Sequence, residues 1–325
     1  MRKNDITALG ELLIDMTQSG TDSLGNGTFT AYPGGAPANV AVAVARLGAK
    51  AGFIGKVGND AFGKSLSETL TKEGVDITGL FYSDEVPTTM ALVSVSESGE
   101  RSFAFYRDPG ADTQLTEQEA LSILGDGELP KILHVGSLSL TAEPSRTACM
   151  SAVRFVKENK GLVSYDPNYR VALWKSEEEA IQMMKKLLPL ADILKVSDEE
   201  MEMLTDMADC EEASRILSED GPALVMITLG SEGVFLRCGE QSAVVPGFKV
   251  TVADTNGAGD SFMGAMLEQI ADKNCRPEQI EWEELKSMAV YANKVAALTC
   301  SRSGAIPAMP YKKELDEFSG GNDGE

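Results

Sequence analysis

Ile132-Leu133-His134-Val135 and Leu162-Val163-Ser164-Tyr165 are two short apolar runs separated by a helical stretch over 145–158. Runs of this length and composition read as strands buried on both faces. The rhythm continues through Ile193-Leu194-Lys195-Val196 and Leu224-Val225-Met226-Ile227, with helical stretches over 177–188, 198–204, 258–271 and 282–300. Strand, helix, strand in repetition implies a parallel sheet covered by helices on both sides. The expected fold class is therefore α/β, a three-layer domain with a mostly parallel central sheet.

One region departs from that rhythm. Segments 88–96 and 101–107 alternate apolar and polar residues around Glu97-Ser98-Gly99-Glu100, the pattern of a β-hairpin. Together with 28–32 they are expected to form a small accessory sheet, half exposed and placed as a lid beside a ligand site. The expected boundaries are one domain over 1–325, lid segments near 17–33 and 86–110, and a disordered acidic tail over 319–325.

Composition narrows the class of function. With 43% hydrophobic residues in 325, the chain buries a large core without disulfides or a structural metal. Lys plus Arg is 29 against 50 Asp plus Glu, a net charge of -21. Such a surface repels nucleic acid and anionic membranes, yet leaves room for phosphate on a few placed cations or backbone amides. The five cysteines are odd in number and lack a Cys-x-x-Cys pair, which argues against a zinc ribbon or disulfide framework and fits the cytoplasm. No apolar run approaches 18 residues, so neither a membrane span nor a signal peptide is expected.

The strongest chemical signal is Asp254-Thr255-Asn256-Gly257-Ala258-Gly259-Asp260, running into a helix at Ser261-Phe262-Met263-Gly264-Ala265. Its glycines let the backbone approach a ligand, and free amides at a helix N-terminus favour negative charge. A carboxylate beside that anion hole is placed to take a proton from an attacking hydroxyl. Read alone, the string is as easily a helix start with an Asp cap. A second cluster, Gly34-Gly35-Ala36-Pro37-Ala38-Asn39-Val40-Ala41, combines a close-approach turn, a proline suited to the first helical turn and an amide able to bind hydroxyls. Alone it reads best as a packed strand-to-helix turn.

Taken together, the two strings resemble the signatures of the PfkB (ribokinase-like) carbohydrate kinases. Further matches lie in order between and after them: Gly10-Glu11-Leu12-Leu13-Ile14-Asp15, Phe105-Tyr106-Arg107, Asp166-Pro167-Asn168-Tyr169-Arg170, Thr228-Leu229-Gly230-Ser231-Glu232-Gly233 and Gly304-Ala305-Ile306-Pro307. The wording of several is most similar to fructokinases within that family. The resemblance implies ATP-dependent phosphorylation of a monosaccharide, D-fructose to D-fructose 6-phosphate in the best reading, with Asp260 as the base. It implies sugar contacts from Asp15, Gly34, Gly35 and Asn39, a lid closing through Phe105 and Arg107, and Asn168 and Arg170 between sugar and triphosphate. Lys195, Thr228, Gly230, Gly233 and Asn293 would serve the nucleotide, and Gly257, Ala258 and Gly259 the anion hole. Glu200 would arrange Mg2+ through water, and Asp254 and Asn256 would border a monovalent cation such as K+. A homodimer through the lid sheet is a further expectation.

Two positions depart from the family pattern: Ser197 replaces the usual Asn of an Asn-x-x-Glu string, and Ala308 offers no side-chain oxygen to a cation. A 2-keto-3-deoxygluconate kinase is the alternative within the class, because Arg107 and Arg170 are candidates to face a substrate carboxylate. A catalytically silent homologue is another, against which the intact Asp260 string speaks. Gly58-Asn59-Asp60-Ala61-Phe62-Gly63-Lys64-Ser65 also satisfies the P-loop pattern. Asp60 sets negative charge where phosphates would lie, and Phe62 crowds the loop, so this reading is set aside. His134, the single histidine, is expected in the core.

Overall fold

The computed structural model describes residues 4–95, 101–125, 129–219 and 221–318; the turn at 97–100 and the tail at 319–325 lie outside them. The early strands are β1 (Ile6–Leu9), β2 (Leu13–Thr21), β3 (Gly27–Gly34), β4 (Ala51–Gly58), β5 (Asp76–Ser83), β6 (Met90–Val95) and β7 (Arg101–Tyr106). They are followed by β8 (Ile132–Gly136), β9 (Leu162–Asp166), β10 (Ile193–Ser197), β11 (Leu224–Thr228), β12 (Gly233–Cys238) and β13 (Gln241–Pro246). The helices are α1 (Ala36–Leu47), α2 (Ala61–Lys72), α3 (Glu117–Gly125), α4 (Ser145–Glu158) and α5 (Glu177–Leu187), then α6 (Asp198–Thr205), α7 (Cys210–Glu219), α8 (Ala258–Lys273), α9 (Trp282–Cys300) and α10 (Lys312–Glu317).

A nine-stranded sheet has the order β13-β12-β11-β10-β9-β8-β1-β4-β5. From β5 to β11 every neighbour pair is parallel, and β12 and β13 close one edge as an antiparallel hairpin. Because successive side chains point to opposite faces, each parallel strand feeds two cores. Ile132, Ile193 and Leu224 pack with α1, α2, α8 and α9 on one side. Leu133, Leu194 and Val225 pack with α3 to α7 on the other. That is the three-layer architecture expected from the apolar runs.

The second sheet has the order β3-β2-β6-β7 and is built from two excursions of the chain, between β1 and α1 and between β5 and α3. The expected hairpin is β6 with β7, paired Ala91 to Phe105 and Met90 to Tyr106. The sheet is larger than expected. β2 begins at Leu13, ahead of the 17–33 segment, and carries Asp15 into its interior ladder opposite Tyr32 and Ala91. His134 is 1% exposed, with Nδ1 at 3.0 Å from the Ser164 hydroxyl, and burial together with the nearby Lys195 charge lowers its pKa to about 3. It is a neutral core residue. Among the described residues no helix is long and apolar enough to cross a membrane.

The P-loop-like string lies between β4 and α2, and its own acid fills it. Asp60 caps α2, its Oδ1 accepting the Gly63 N–H at 2.8 Å and the Thr88 hydroxyl at 2.8 Å, while Oδ2 accepts the Thr88 N–H at 2.8 Å. A carboxylate thus occupies the helix N-terminus that a phosphate would need, and Lys64 points from an exposed position. Lys64→Ala is therefore expected to leave turnover within about twofold, where a P-loop lysine would be indispensable. Steady-state kinetics of the folded variant checks this, and a severe loss would reinstate the P-loop.

Candidate active site

The crevice opens at the carboxyl ends of the parallel strands, where doubly wound sheets expose loop backbone and helix N-termini to ligands. A cavity of about 530 Å³ is lined by Glu11, Asp15, Phe105, Arg170, Lys195 and Glu200, with Asp260 in its wall.

Asp260 is 7% exposed in the first turn of α8. Its Oδ2 accepts from Asn39 Nδ2 at 2.8 Å and its Oδ1 from Asn168 Nδ2 at 3.2 Å. Asn39 is presented by α1, and Asn168 by a left-handed residue (φ 49°) just past β9. Burial raises the Asp260 carboxyl to about 6; the neighbouring Asp166 adds to the rise, and Asn39, Lys195 and Arg170 oppose it. The N–H groups of Gly257, Gly259 and Asp260 have no acceptor among the described residues, as expected of a first helical turn left open. Gly257 adopts φ 76°, which only glycine takes without strain. A Cβ on Gly259 would stand 2.9 Å from Lys195 Nζ, so glycine is what allows the lysine to reach the helix start.

Lys195 and Asp166 form a buried ion pair at 2.8 Å, with side chains 7% and 2% exposed. Burial pulls the lysine pKa down, but Asp166, Glu200 and Asp260 outweigh it and the ammonium is held above its usual range. Glu200 sits at the third position of α6 in a capping box, Oε2 accepting the Ser197 N–H at 2.8 Å and Oε1 the Tyr169 N–H at 2.6 Å. Ser197 thus replaces the family asparagine as a helix cap. Each Glu200 oxygen retains a further lone pair, which suits an indirect, water-mediated metal contact. Arg170 is exposed on the rim, and Asp15 is raised to about 6 by burial, with Arg170 opposing and Asp260 and Asp254 reinforcing. Gly34 is where a Cβ would clash with the Asp15 carboxylate.

The structure brings Asp15, Gly35, Asn39, Phe105, Asn168, Arg170, Lys195, Glu200, Asn256, Gly257, Gly259 and Asp260 to one cavity. It places others elsewhere. Arg107 was expected over the sugar, but its Nε and Nη2 hold Asp112 Oδ2 at 2.8 and 2.7 Å, Nη1 holds Thr141 Oγ1 at 2.7 Å, and Nη2 holds the Leu138 carbonyl at 2.9 Å. Its charge is spent within the protein. Asn293, expected beside adenine, donates to the Val245 and Pro246 carbonyls at 3.1 and 3.0 Å and ties α9 to the end of β13. Thr228, Gly230 (φ 57°) and Gly233 (φ 104°) lie off the cavity, one strand over, with Thr228 in register with Ser197. Asp254 accepts from the Asn256 and Gly304 N–H groups at 2.9 and 3.1 Å and so stitches the loop before α8 to the segment after α9. Glu11 has no role in the motif reading, yet it is 3% exposed in the cavity wall and raised to about 7 chiefly by burial. An acid inside an apolar run was the available signal.

A parallel sheet of this order with a second sheet beside its crevice defines the ribokinase-like class of α/β kinases. Residues 3–312 match the model of the pfkB family carbohydrate kinases, and the chain belongs to that family. It is 42% identical over 320 residues to a protein named probable fructokinase-2 from Arabidopsis thaliana, covering 97% of this chain and 96% of that one. Among solved structures it is similar to fructokinase with bound ATP from Xylella fastidiosa, with TM-score 0.86, 32% identity, and 97% and 98% of the two chains covered. A fructokinase double mutant from Vibrio cholerae O395, in its fructose, ADP and potassium ion bound form, gives TM-score 0.86 at 32% identity over 98% and 99% of the chains.

Proposed function

We propose that this chain transfers the γ-phosphoryl group of ATP to the primary hydroxyl of D-fructose, with Asp260 accepting the hydroxyl proton. The observation that carries the reading is the buried Asp260, fixed by two asparagine amides at the open N-terminus of α8. Asn39 and Asn168 aim the carboxylate, and the unpaired amides of Gly257 and Gly259 receive charge developing on the transferred group. Lys195 and Arg170 supply positive charge along the triphosphate path, and Thr228, Gly230 and Gly233 continue that path toward the base. Asp15 and Asn39 hold sugar hydroxyls; the Asn39 Oδ1 is buried without a partner and suits a hydroxyl donor. A divalent ion such as Mg2+ neutralises and orients the phosphate oxygens when bound. Among the described residues no group of three or more His, Cys, Asp or Glu side chains is arranged to hold a metal, so nucleotide oxygens would complete that ion's coordination, with Glu200 acting through water. Asp254 with neighbouring carbonyls is the proposed monovalent cation site, and the relative solved with potassium supports it. The second sheet acts as the lid and excludes water as a competing acceptor. A homodimer through that sheet, whose outer strands expose Phe29 and Tyr106, and residence in the cytoplasm complete the proposal.

The test is ADP release over a panel of sugars. kcat/KM with fructose is expected to exceed that with 2-keto-3-deoxygluconate by at least about tenfold, which is about 1.4 kcal/mol in transition-state binding. Asp15→Ala should depress that value for fructose and leave ATP affinity nearly intact. A preference for the acidic sugar would move the protein to another branch of the family.

The carboxyl pKa values set the acid limb of the rate. A base raised to about 6 is ionised and competent above that pH and protonated below it. kcat/KM should fall about tenfold per unit below pH 6. Asp15, raised to about 6 and coupled to Asp260, shares that limb, which belongs to the pair. A pH–rate profile that stays flat down to pH 5 would show that the Asp260 carboxyl is not raised by its burial, and the Asp260→Asn variant then decides whether it is the base.

A further inference from the structure

Glu11 follows β1 and braces the start of α1, its Oε1 accepting the Ala36 N–H at 3.1 Å. Its Oε2 is buried with no hydrogen-bond partner, although the residue lines the cavity. Asp112 and Arg107 are its charged neighbours, the first favouring its neutral form and the second its ionised form. Arg107 is a poor partner for a second anion there, because Asp112 neutralises its charge and Asp112, Thr141 and the Leu138 carbonyl engage four of its five N–H groups. Asp112 is itself fixed by the Thr89 hydroxyl on its other oxygen. Glu11 bonds the first residue of α1 and Asp260 the fourth, and both carboxyls line the one cavity.

We propose that Glu11 is a specificity-determining residue for the sugar: its free oxygen takes a neutral hydroxyl, and the Asp112-held Arg107 leaves no unpaired cation beside it for a substrate carboxylate, Arg170 being given to the triphosphate path. This rests on the sugar kinase reading above. A hydroxyl supplies the partner that Oε2 lacks. A carboxylate in its place would be a further buried negative charge beside Glu11, with the local positive charge already neutralised. Discrimination of this kind comes from what the site does to the wrong substrate as much as from contacts to the right one.

Glu11→Gln keeps an acceptor for Ala36 and turns the free oxygen into a donor. The ratio of kcat/KM for fructose over 2-keto-3-deoxygluconate should then fall at least about tenfold, carried by KM of the sugars, with KM for ATP within about twofold. A purely structural role would lower kcat for both sugars together and leave the ratio alone. Asp112→Asn, which frees Arg107 from its counter-ion, should raise kcat/KM for the sugar acid at least about fivefold by the same charge argument. A folded Glu11→Gln protein whose ratio stays within about threefold of wild type overturns the proposal. If that variant does not fold, an unchanged ratio in Asp112→Asn overturns it equally. The wild-type panel is run first: if another neutral sugar outpaces fructose, the choice of fructose fails, and the Glu11 ratio is measured with that sugar instead. A wild type that prefers the acid sinks the inference itself.

Discussion

Asp260→Asn is expected to lower kcat about 10²–10⁴-fold, the range for loss of a general base, while sugar and ATP binding change little. The same variant should melt higher than wild type at pH 8. The Asp260 carboxyl is raised from 3.8 to about 6 in the folded chain, first by burial and then by Asp166. The native state therefore binds this proton more tightly than the unfolded state, and stability falls as pH rises from about 4 to about 6. Above that range the full penalty of an ionised, buried carboxylate is carried by the native state. An amide removes it, and Asn39 can rotate so that its unpartnered Oδ1 accepts from the new NH2. The gain should be on the order of 1 kcal/mol or more, or at least about 2 °C in Tm, and should shrink toward pH 5. Coupled kinetics and thermal melts at the two pH values decide it. Retention of more than about a third of wild-type kcat would remove Asp260 from the role given to it.

Lys195→Met is expected to act on stability and chemistry together. It deletes the cation of a buried pair and leaves Asp166, 2% exposed, without its partner. Breaking one side of such a pair costs about 3–5 kcal/mol. Lys195 also opposes the rise of the Asp260 carboxyl, so its removal pushes that carboxyl higher. The acid limb of kcat/KM should move up by at least about one pH unit, and activity at neutral pH should drop at least about tenfold. Denaturant melts measure the first effect and the pH–rate profile the second. Wild-type stability with an unmoved limb would mean that the pair matters to neither.

The layers of the fold were legible because buried parallel strands announce themselves. The runs at 132–135, 162–165, 193–196 and 224–227 fall inside β8 to β11, and the helix read over 282–300 is α9. β2 was not read as a strand. Asp15, Thr17 and Gln18 dilute its apolar content, since it is half exposed in a small sheet rather than buried in a large one. The β12–β13 hairpin was not legible either, although Gly239 at φ 59° marks its turn, because β13 is half exposed at the sheet edge and opens on polar residues. Motif strings located the cavity residues, whereas the fate of individual charges was not in them. That Arg107 is neutralised by Asp112 follows from where β7 and the segment after it pack, which no local pattern encodes. Asp60 was already out of place in a phosphate loop when read as sequence, and the fold shows it capping α2.

Asp260 takes its two hydrogen bonds from residues 221 and 92 positions away along the chain. The N-terminal helix, the middle of the central sheet and the C-terminal helix pair must all be in native register before the carboxylate is aimed. Helices and hairpins form early and locally, while contacts of such long sequence separation come late. Recovered turnover is thus a stricter report of native topology than recovered helicity, and a refolding chain regains its circular dichroism before it regains a working base.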